Sequence, residues 1–422
     1  MTVYIDAFDE QTGGQRRAVR LPLSDANPVM GGVRTLSDGG VDLRQVTSRC
    51  WLSNVKSGSG VTSSWRSGQM SYVRLEAIKV GIWNGFNGST SSQVETGTGS
   101  TMDVNLSVEY PPGNFQRLTW NNGQTTGTIA DNAMGYTDIV TLNTPIPAFA
   151  RFRINGYFVT NGAGRVPSLN ITNSADRAAW GDEYQVSTGV DRTMDSTVLG
   201  SGSVSSVHPQ VVLGYSNIPV GIGIGDSQML GTQDKYMDPL GQRGLCRALA
   251  QFGPCVNIGV GGDQANLFLV SNTIRREIAS VSRASFGLLN YGINDITNGR
   301  SSAQLTADRA SIRALFPTIP LHGTTVSPKS TSSDTFKTAA NQTTHANNSV
   351  RLTFNGTLRG GIIGPGSIDI AGLVETDTGN ERLLVQDGGV WMPGMTDDGT
   401  HFTSPGYIAA AREIYAALSS RR

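Results

Sequence analysis

The spacing of the apolar residues changes near residue 200, and this change constrains the fold more than any other feature of the sequence. Before it, short segments alternate apolar and polar residues with a period of two, as at residues 72–82, 102–110 and 151–159. Gly, Asn, Ser and Thr separate these segments, and only 16% of the chain is charged. Such alternation is typical of half-buried strands. We therefore expect residues 1–200 to form an antiparallel β-sandwich, similar to a jelly roll.

Beyond a Gly- and Ser-rich linker assigned to residues 201–216, strand-like and helix-like segments alternate. Buried strands are predicted at four places: residues 219–225, 256–260, 286–291 and 318–326. Helical spacing of apolar residues is found at residues 240–252, 302–316 and 404–418. This alternation predicts parallel β-α-β units, so we expect residues 217–422 to form a layered α/β domain. Ligands of such sheets bind beyond the carboxyl ends of the strands.

Three of these strand ends carry residues that suit acyl chemistry. Ser227 follows the first strand, directly after a Gly-Asp pair that can present it on a tight turn. Residues 257–263 contain three glycines, whose backbone N–H groups can point into a cleft as an oxyanion or phosphate site requires. Asn294 follows the third strand, and its amide can donate to an oxyanion. Each segment alone is also compatible with an ordinary turn or a close helix–strand contact.

One histidine has the surroundings of a catalytic base. Only His401, among four histidines, has an acid three residues before it, Asp398. A carboxylate at this spacing can fold back onto one ring nitrogen, which leaves the other nitrogen facing a substrate. Structural roles are expected for the other three: His208, His322 and His345.

Together, and in this chain order, the four motifs resemble those of the SGNH (GDSL-type) hydrolase superfamily over about residues 219–418. The resemblance implies a three-layer, flavodoxin-like α/β fold and hydrolysis of acyl esters with no metal and no organic cofactor. It implies a triad of Ser227, His401 and Asp398. Asp226 and Asp397 are alternative acids, which the family spacing ranks lower.

The resemblance also implies an oxyanion hole. Its three donors are the backbone N–H groups of Ser227 and Gly262 and the side-chain amide of Asn294. Gln228 stands where the family's name motif has Leu, and this departure bears on the subfamily more than on activity. We expect Gln228 and Trp391 to contribute to the substrate pocket, and the polar stretch at residues 328–348 to form a loop beside it.

The expected function is therefore a serine esterase acting on short acyl groups, chiefly acetyl, carried by a carbohydrate. The expected partner is an acylated small molecule or polysaccharide. Two alternatives stay open: an arylesterase or lipase-like esterase with a structural N-terminal domain, and a virion or cell-surface attachment module that deacetylates its receptor. Tryptophans can stack on sugars, although core positions are favoured for the five considered: Trp51, Trp65, Trp83, Trp120 and Trp180.

Charge and composition exclude several other classes of protein. The formal net charge is zero, which argues against nucleic acid as a partner. No apolar run approaches the roughly 18 residues of a membrane span, and no signal peptide is recognised at the start. An extracellular or virion-associated location, and the oligomeric state, stay open. Three cysteines cannot form a disulfide framework; buried thiols are favoured, with a Cys246–Cys255 pair as the alternative. No metal-binding motif is present.

Overall fold

A computed structural model describes residues 3–9, 17–23, 41–56, 61–88, 93–162, 164–170, 174–187, 189–199, 205–360, 366–376 and 389–421. Within the first 40 residues it describes one antiparallel hairpin, formed by Val3–Asp9 and Arg17–Leu23. Residues 201–204 of the predicted linker lie outside the described part of the chain.

The N-terminal half contains two antiparallel sheets. The first has the order Phe115–Leu118, Met102–Glu109, Arg151–Thr160, Thr62–Met70, Glu183–Val186, with Gly127–Ile129 beside Met102–Glu109. The second has the order Met134–Tyr136, Leu75–Trp83, Val211–Ser216, Asp42–Gln45, with Val140–Ile146 beside Leu75–Trp83. Shorter elements of this half are Val55–Lys56, Gly85–Asn87, Glu95–Gly97, Pro167–Asn170, Ser205–Ser206 and the helix Ser174–Trp180.

The period-two pattern explains how these two sheets pack. Along Met102–Glu109, Val104 and Leu106 are buried while Asp103 and Asn105 are half-exposed. The buried residues of the first sheet share one apolar core with those of the second, such as Val80. The sequence pattern and the antiparallel sheets agree; the jelly-roll description stays a prediction.

A parallel sheet forms the centre of the C-terminal half. Its order is Leu321–Gly323, Phe286–Asn290, Gly221–Gly225, Cys255–Asn257, Cys50–Trp51. Helices at Ser227–Leu230, Cys246–Ala250, Ala265–Val270, Thr273–Val281, Ile293–Thr297, Ser302–Leu315, Asn348–Arg359 and Ser404–Ser419 follow in chain order. Additional elements are the strands Ser330–Ser332, Gln342–Thr344, Glu375–Thr376 and Val390–Trp391 and the 3₁₀ turn Ala371–Leu373.

Both faces of the parallel sheet are covered. Leu288 packs into a core with Leu249 and Tyr407, whereas its neighbour Leu289 packs on the opposite side with Ile312. Because adjacent residues of a strand point to opposite faces, the sheet lies between two apolar layers. None of the helices in the described part of the chain is long and apolar enough to cross a bilayer.

The two halves are joined more closely than the change of pattern near residue 200 predicts. Part of the predicted linker at 201–216 is a strand instead, Val211–Ser216, which lies between two other strands of the second antiparallel sheet. Its apolar residues explain this: Val212 is buried in the sandwich core, and Val211 in the core of the parallel sheet. Conversely, Cys50–Trp51 extends the parallel sheet. The sandwich and the α/β half therefore share one continuous core.

Candidate active site

Ser227 lies where the central strand of the parallel sheet ends and a four-residue helix begins. Asp226 caps this helix, because its carboxylate accepts a hydrogen bond from the Gln228 N–H at 2.9 Å. At the preceding position a Cβ would collide with the carbonyl of Asn290, so Gly225 permits the close strand contact. The serine is therefore held at the carboxyl edge of the sheet, where the fold places ligands.

His401 joins this serine to Asp398. Its Nε2 lies 2.8 Å from the Ser227 Oγ, and its Nδ1 lies 2.7 Å from Asp398 Oδ2. The other oxygen of Asp398 accepts from the backbone N–H groups of Thr400 and His401 at 2.9 and 2.8 Å. Partial burial works against the ionised carboxylate, but the hydrogen bonds from His401 and Thr400 hold the pKa of Asp398 well below its usual value. A carboxylate on Nδ1 leaves Nε2 free to accept the serine proton.

The two alternative acids are engaged elsewhere. Asp226 is buried under the site, and burial raises its pKa to about 8. Asp397 lies 3.7 Å from the ammonium of Lys235 on an exposed surface. Asp398 is thus the acid that the structure brings to His401.

Trp391, expected in the substrate pocket, is instead fully buried. Its indole N–H donates to the carbonyl of Gly399 at 3.0 Å, and its ring packs edge-on against Phe402. The Ser330 N–H donates to the same Gly399 carbonyl at 3.0 Å. Trp391 therefore supports the loop that carries Asp398 and does not face a ligand.

Gln228 is also buried and does not line the pocket. Its amide nitrogen donates to Ser327 Oγ at 2.7 Å and to the Thr400 carbonyl at 2.8 Å. A Leu at this position could make neither bond. Gln228 therefore connects the helix of Ser227 with two neighbouring loops.

The residues expected as oxyanion donors lie in two linked loops beside the serine. Asn294 Nδ2 donates to the carbonyl of Asp263 at 3.0 Å, which fixes the amide next to the glycine loop. Gly262 has φ +78°, a conformation that favours glycine. Among the described residues, the backbone N–H groups of Ser227 and Gly262 have no acceptor.

Buried charges connect these loops from below. Asp263 pairs with Arg275 at 2.6 Å and accepts from the Tyr291 hydroxyl at 2.7 Å. Asp295 accepts from the Ala265 N–H at 2.8 Å, and burial raises the pKa of Asp295 to about 7. The backbone and side chains of one loop therefore hold the other.

The sandwich half also reaches this site, which the sequence did not indicate. The amide of Gln93 donates to the carbonyl groups of Gly88 and Gly261. The carboxylate of Glu95 accepts from the first two N–H groups of the helix Thr273–Val281 that it can reach, Ile274 and Arg275, both at 2.9 Å. Contacts between positions so far apart leave no signal in a single sequence.

A cleft of about 240 Å³ opens beside these loops. Its lining consists of Ile293, Ile296, Thr297, Val326, Ser327, Lys329, His345, Asn347, Asn348 and Arg351. Four of these residues belong to the stretch 328–348, in agreement with the loop expected beside the pocket. His345, expected to be structural, lines this cleft, and Lys329 was not singled out by any motif.

The remaining candidates are structural. His208 is buried between Ser67 and Ser206, and burial lowers its pKa to about 3. Burial likewise lowers the pKa of His322 to about 4. All five tryptophans considered for sugar stacking are buried, and all three cysteines are free and buried. In the described ranges no group of three or more His, Cys, Asp or Glu side chains is placed to hold a metal ion.

Comparisons with known proteins give matches among solved structures. Just under half of the chain is similar to GDSL-type proteins, as the motifs predict. A GDSL-like lipase from Bacteroides thetaiotaomicron VPI-5482 has 15% identity over 48% of this chain and 89% of its own, with a TM-score of 0.34. A member of the lipolytic protein G-D-S-L family from Veillonella parvula DSM 2008 has 18% identity over 47% and 98%, with a TM-score of 0.34. A carbohydrate acetylesterase from Sinorhizobium meliloti has 10% identity over 48% and 100%, with a TM-score of 0.33. No protein-family model matches the chain, and no curated protein matches it.

Proposed function

We propose that this chain is a serine esterase that hydrolyses short acyl esters, in the first place acetyl esters of a carbohydrate. One observation carries the proposal: Ser227, His401 and Asp398 form a continuous chain of hydrogen bonds at 2.8 and 2.7 Å. A serine hydroxyl becomes an effective nucleophile when an adjacent base accepts its proton. The base here is oriented by a carboxylate that stays ionised.

The reaction proceeds in two steps. In the first, Ser227 Oγ bonds to the ester carbonyl carbon while its proton passes to His401 Nε2, and Asp398 stabilises the resulting imidazolium. The bond from the carbonyl carbon to the alcohol oxygen then breaks, and that oxygen takes the proton from His401. In the second step, a water attacks the acyl group on Ser227 with His401 again accepting the proton, which releases the acid and restores the serine.

Each tetrahedral intermediate carries a negative charge on the former carbonyl oxygen. The donors proposed for this charge are the N–H groups of Ser227 and Gly262 and the amide of Asn294. The hydrogen bond from Asn294 to the Asp263 carbonyl uses one amide hydrogen and leaves the second for the oxyanion. Such a donor contributes about 10²–10³ to the rate.

The walls of the cleft support a sugar ester rather than a long acyl chain. Thr297, Ser327, Asn347 and Asn348 present hydroxyl and amide groups, which can exchange hydrogen bonds with sugar hydroxyls. A long acyl chain gains about 0.8 kcal/mol per methylene only where apolar walls receive it. We therefore expect activity to be highest on acetate.

The test is hydrolysis of p-nitrophenyl esters from acetate to octanoate. We expect acetate to react fastest and Ser227→Ala and His401→Ala to lose about 10⁴-fold or more in kcat. Ser311→Ala, a serine exposed on the helix Ser302–Leu315, is the matched control and should retain full activity. Release of acetate from acetylated polysaccharides follows. A wild-type chain that is inert on every ester would overturn the proposal.

A further inference from the structure

The cleft beside the triad contains a cation without a charge partner. Lys329 is half-buried, and its ammonium donates to Thr297 Oγ1 at 3.1 Å. Among the described residues, no carboxylate oxygen lies within 4 Å of this ammonium. Burial lowers the pKa of Lys329, while the charge of Asp398 works in the opposite direction. Partial removal from water without a carboxylate partner is costly for an ammonium group.

The other cation of the cleft is neutralised. Arg351 donates to Glu375 at 2.7 Å and to the side chain of Asn348 at 2.8 Å. Since the remaining walls are uncharged or histidine, Lys329 supplies the unbalanced positive charge of the cleft.

The position of Lys329 ties the cleft to the reacting serine. Two residues before it, Ser327 accepts from Gln228, the residue that follows Ser227. One residue after it, Ser330 donates to Gly399, within the loop that carries Asp398. A group bound at Lys329 would therefore lie on the same substrate molecule as the ester at Ser227.

We propose that Lys329 binds a carboxylate on the alcohol part of the substrate, so that the preferred substrates are acetyl esters of acidic sugars such as uronic acid units. This inference rests on the proposed esterase function and adds the class of sugar. A carboxylate would complete the hydrogen bonding of a partly desolvated ammonium, which a neutral sugar cannot do. The surrounding hydroxyl and amide groups suit the ring hydroxyls of the same sugar.

The test compares two substrates that differ only in the carboxylate: a mono-acetylated methyl glucuronoside and the corresponding mono-acetylated methyl glucoside. We expect wild-type kcat/KM to favour the acidic ester by about tenfold or more, and added NaCl to weaken this preference. Lys329→Met should reduce the preference to about twofold or less. Lys235→Met removes a lysine charge from an exposed pair near Asp398 and should retain the wild-type preference.

The outcomes separate this inference from the proposed function. Equal wild-type rates on the two sugar esters, with p-nitrophenyl acetate still hydrolysed, would overturn the carboxylate site and leave the esterase standing. So would an equal loss on both sugar esters in Lys329→Met. Since the wild-type comparison needs no variant, it decides the question even where Lys329→Met folds poorly. Failure of the wild type on every ester would remove both.

Discussion

Replacing Arg275 with Met should destabilise the protein strongly, because Arg275 lies between two buried carboxylates. Its guanidinium is 2.6 Å from Asp263 and 3.5 Å from Glu95, and all three side chains are at most 3% exposed. Met retains much of the aliphatic bulk, so the main change is the loss of the charge. Removing one partner from a buried ion pair typically costs about 3–5 kcal/mol. That is a large share of the roughly 5–15 kcal/mol that holds a protein folded.

The loss should depend on pH. Burial already raises the pKa of Asp263, with Arg275 as the main opposing influence. Without Arg275 this pKa rises further, so the native variant retains protons that the unfolded chain releases above about pH 4. The free energy of unfolding of the variant therefore falls as pH rises, and its deficit is larger at pH 8 than at pH 5. Because the Asp263 carbonyl holds the Asn294 amide, we also expect kcat to fall more than KM changes.

The assay is denaturation in guanidinium chloride at pH 5 and pH 8, followed by tryptophan fluorescence. Arg276→Met is the matched control, since Arg276 is the exposed neighbour on the same helix, and we expect it to change stability by less than about 0.5 kcal/mol. A loss below about 1 kcal/mol for Arg275→Met, or the same loss at both pH values, would refute the ion-pair reasoning.

Three further predictions follow from the same contacts. Asn294→Ala should lower kcat by about 10²–10³ with little change in thermal unfolding, and a loss below tenfold would exclude this amide from the oxyanion hole. The wild type should lose stability as pH falls from about 6.5 towards 3, because buried His208 stays neutral while the unfolded chain takes up a proton. His208→Gln should flatten this loss by up to about 1.4 kcal/mol per pH unit, and thermal melts that stay parallel would contradict it. A fragment of residues 1–200 lacks the central strand Val211–Ser216 and should show no cooperative melt, so a sharp transition would show that the shared core is dispensable.

The positions of the site residues could be predicted because the sheet is parallel. Carboxyl ends of parallel strands meet at one edge, so the segments after Gly225, around Gly262 and at Asn294 had to lie near one another. The spacing of Asp398 and His401 is local, and a local spacing survives any error in the global topology. Strands such as Met102–Glu109 were predicted for a similar reason, since their pattern records which face is buried.

Side-chain direction and distant contacts could not be predicted in the same way. Trp391 and Gln228 lie near the triad in sequence or space, but both point inward and hold loops together. Lys329 faces the cleft because of the hairpin that follows it, and Gln93 reaches Gly261 from the other half of the chain. The linker was misassigned because its Gly- and Ser-rich start hides the apolar strand that follows, Val211–Ser216.

The most direct test of the central claim is covalent labelling with a fluorophosphonate, read by mass spectrometry of the intact chain and its peptides. The triad geometry predicts that a single phosphonyl group is added, that it is located on Ser227, and that His401→Ala abolishes the addition. A Ser227→Ala chain should remain unlabelled. Labelling at another serine, or no labelling of a wild type that is correctly folded by circular dichroism, would contradict the assignment of Ser227 as an activated nucleophile.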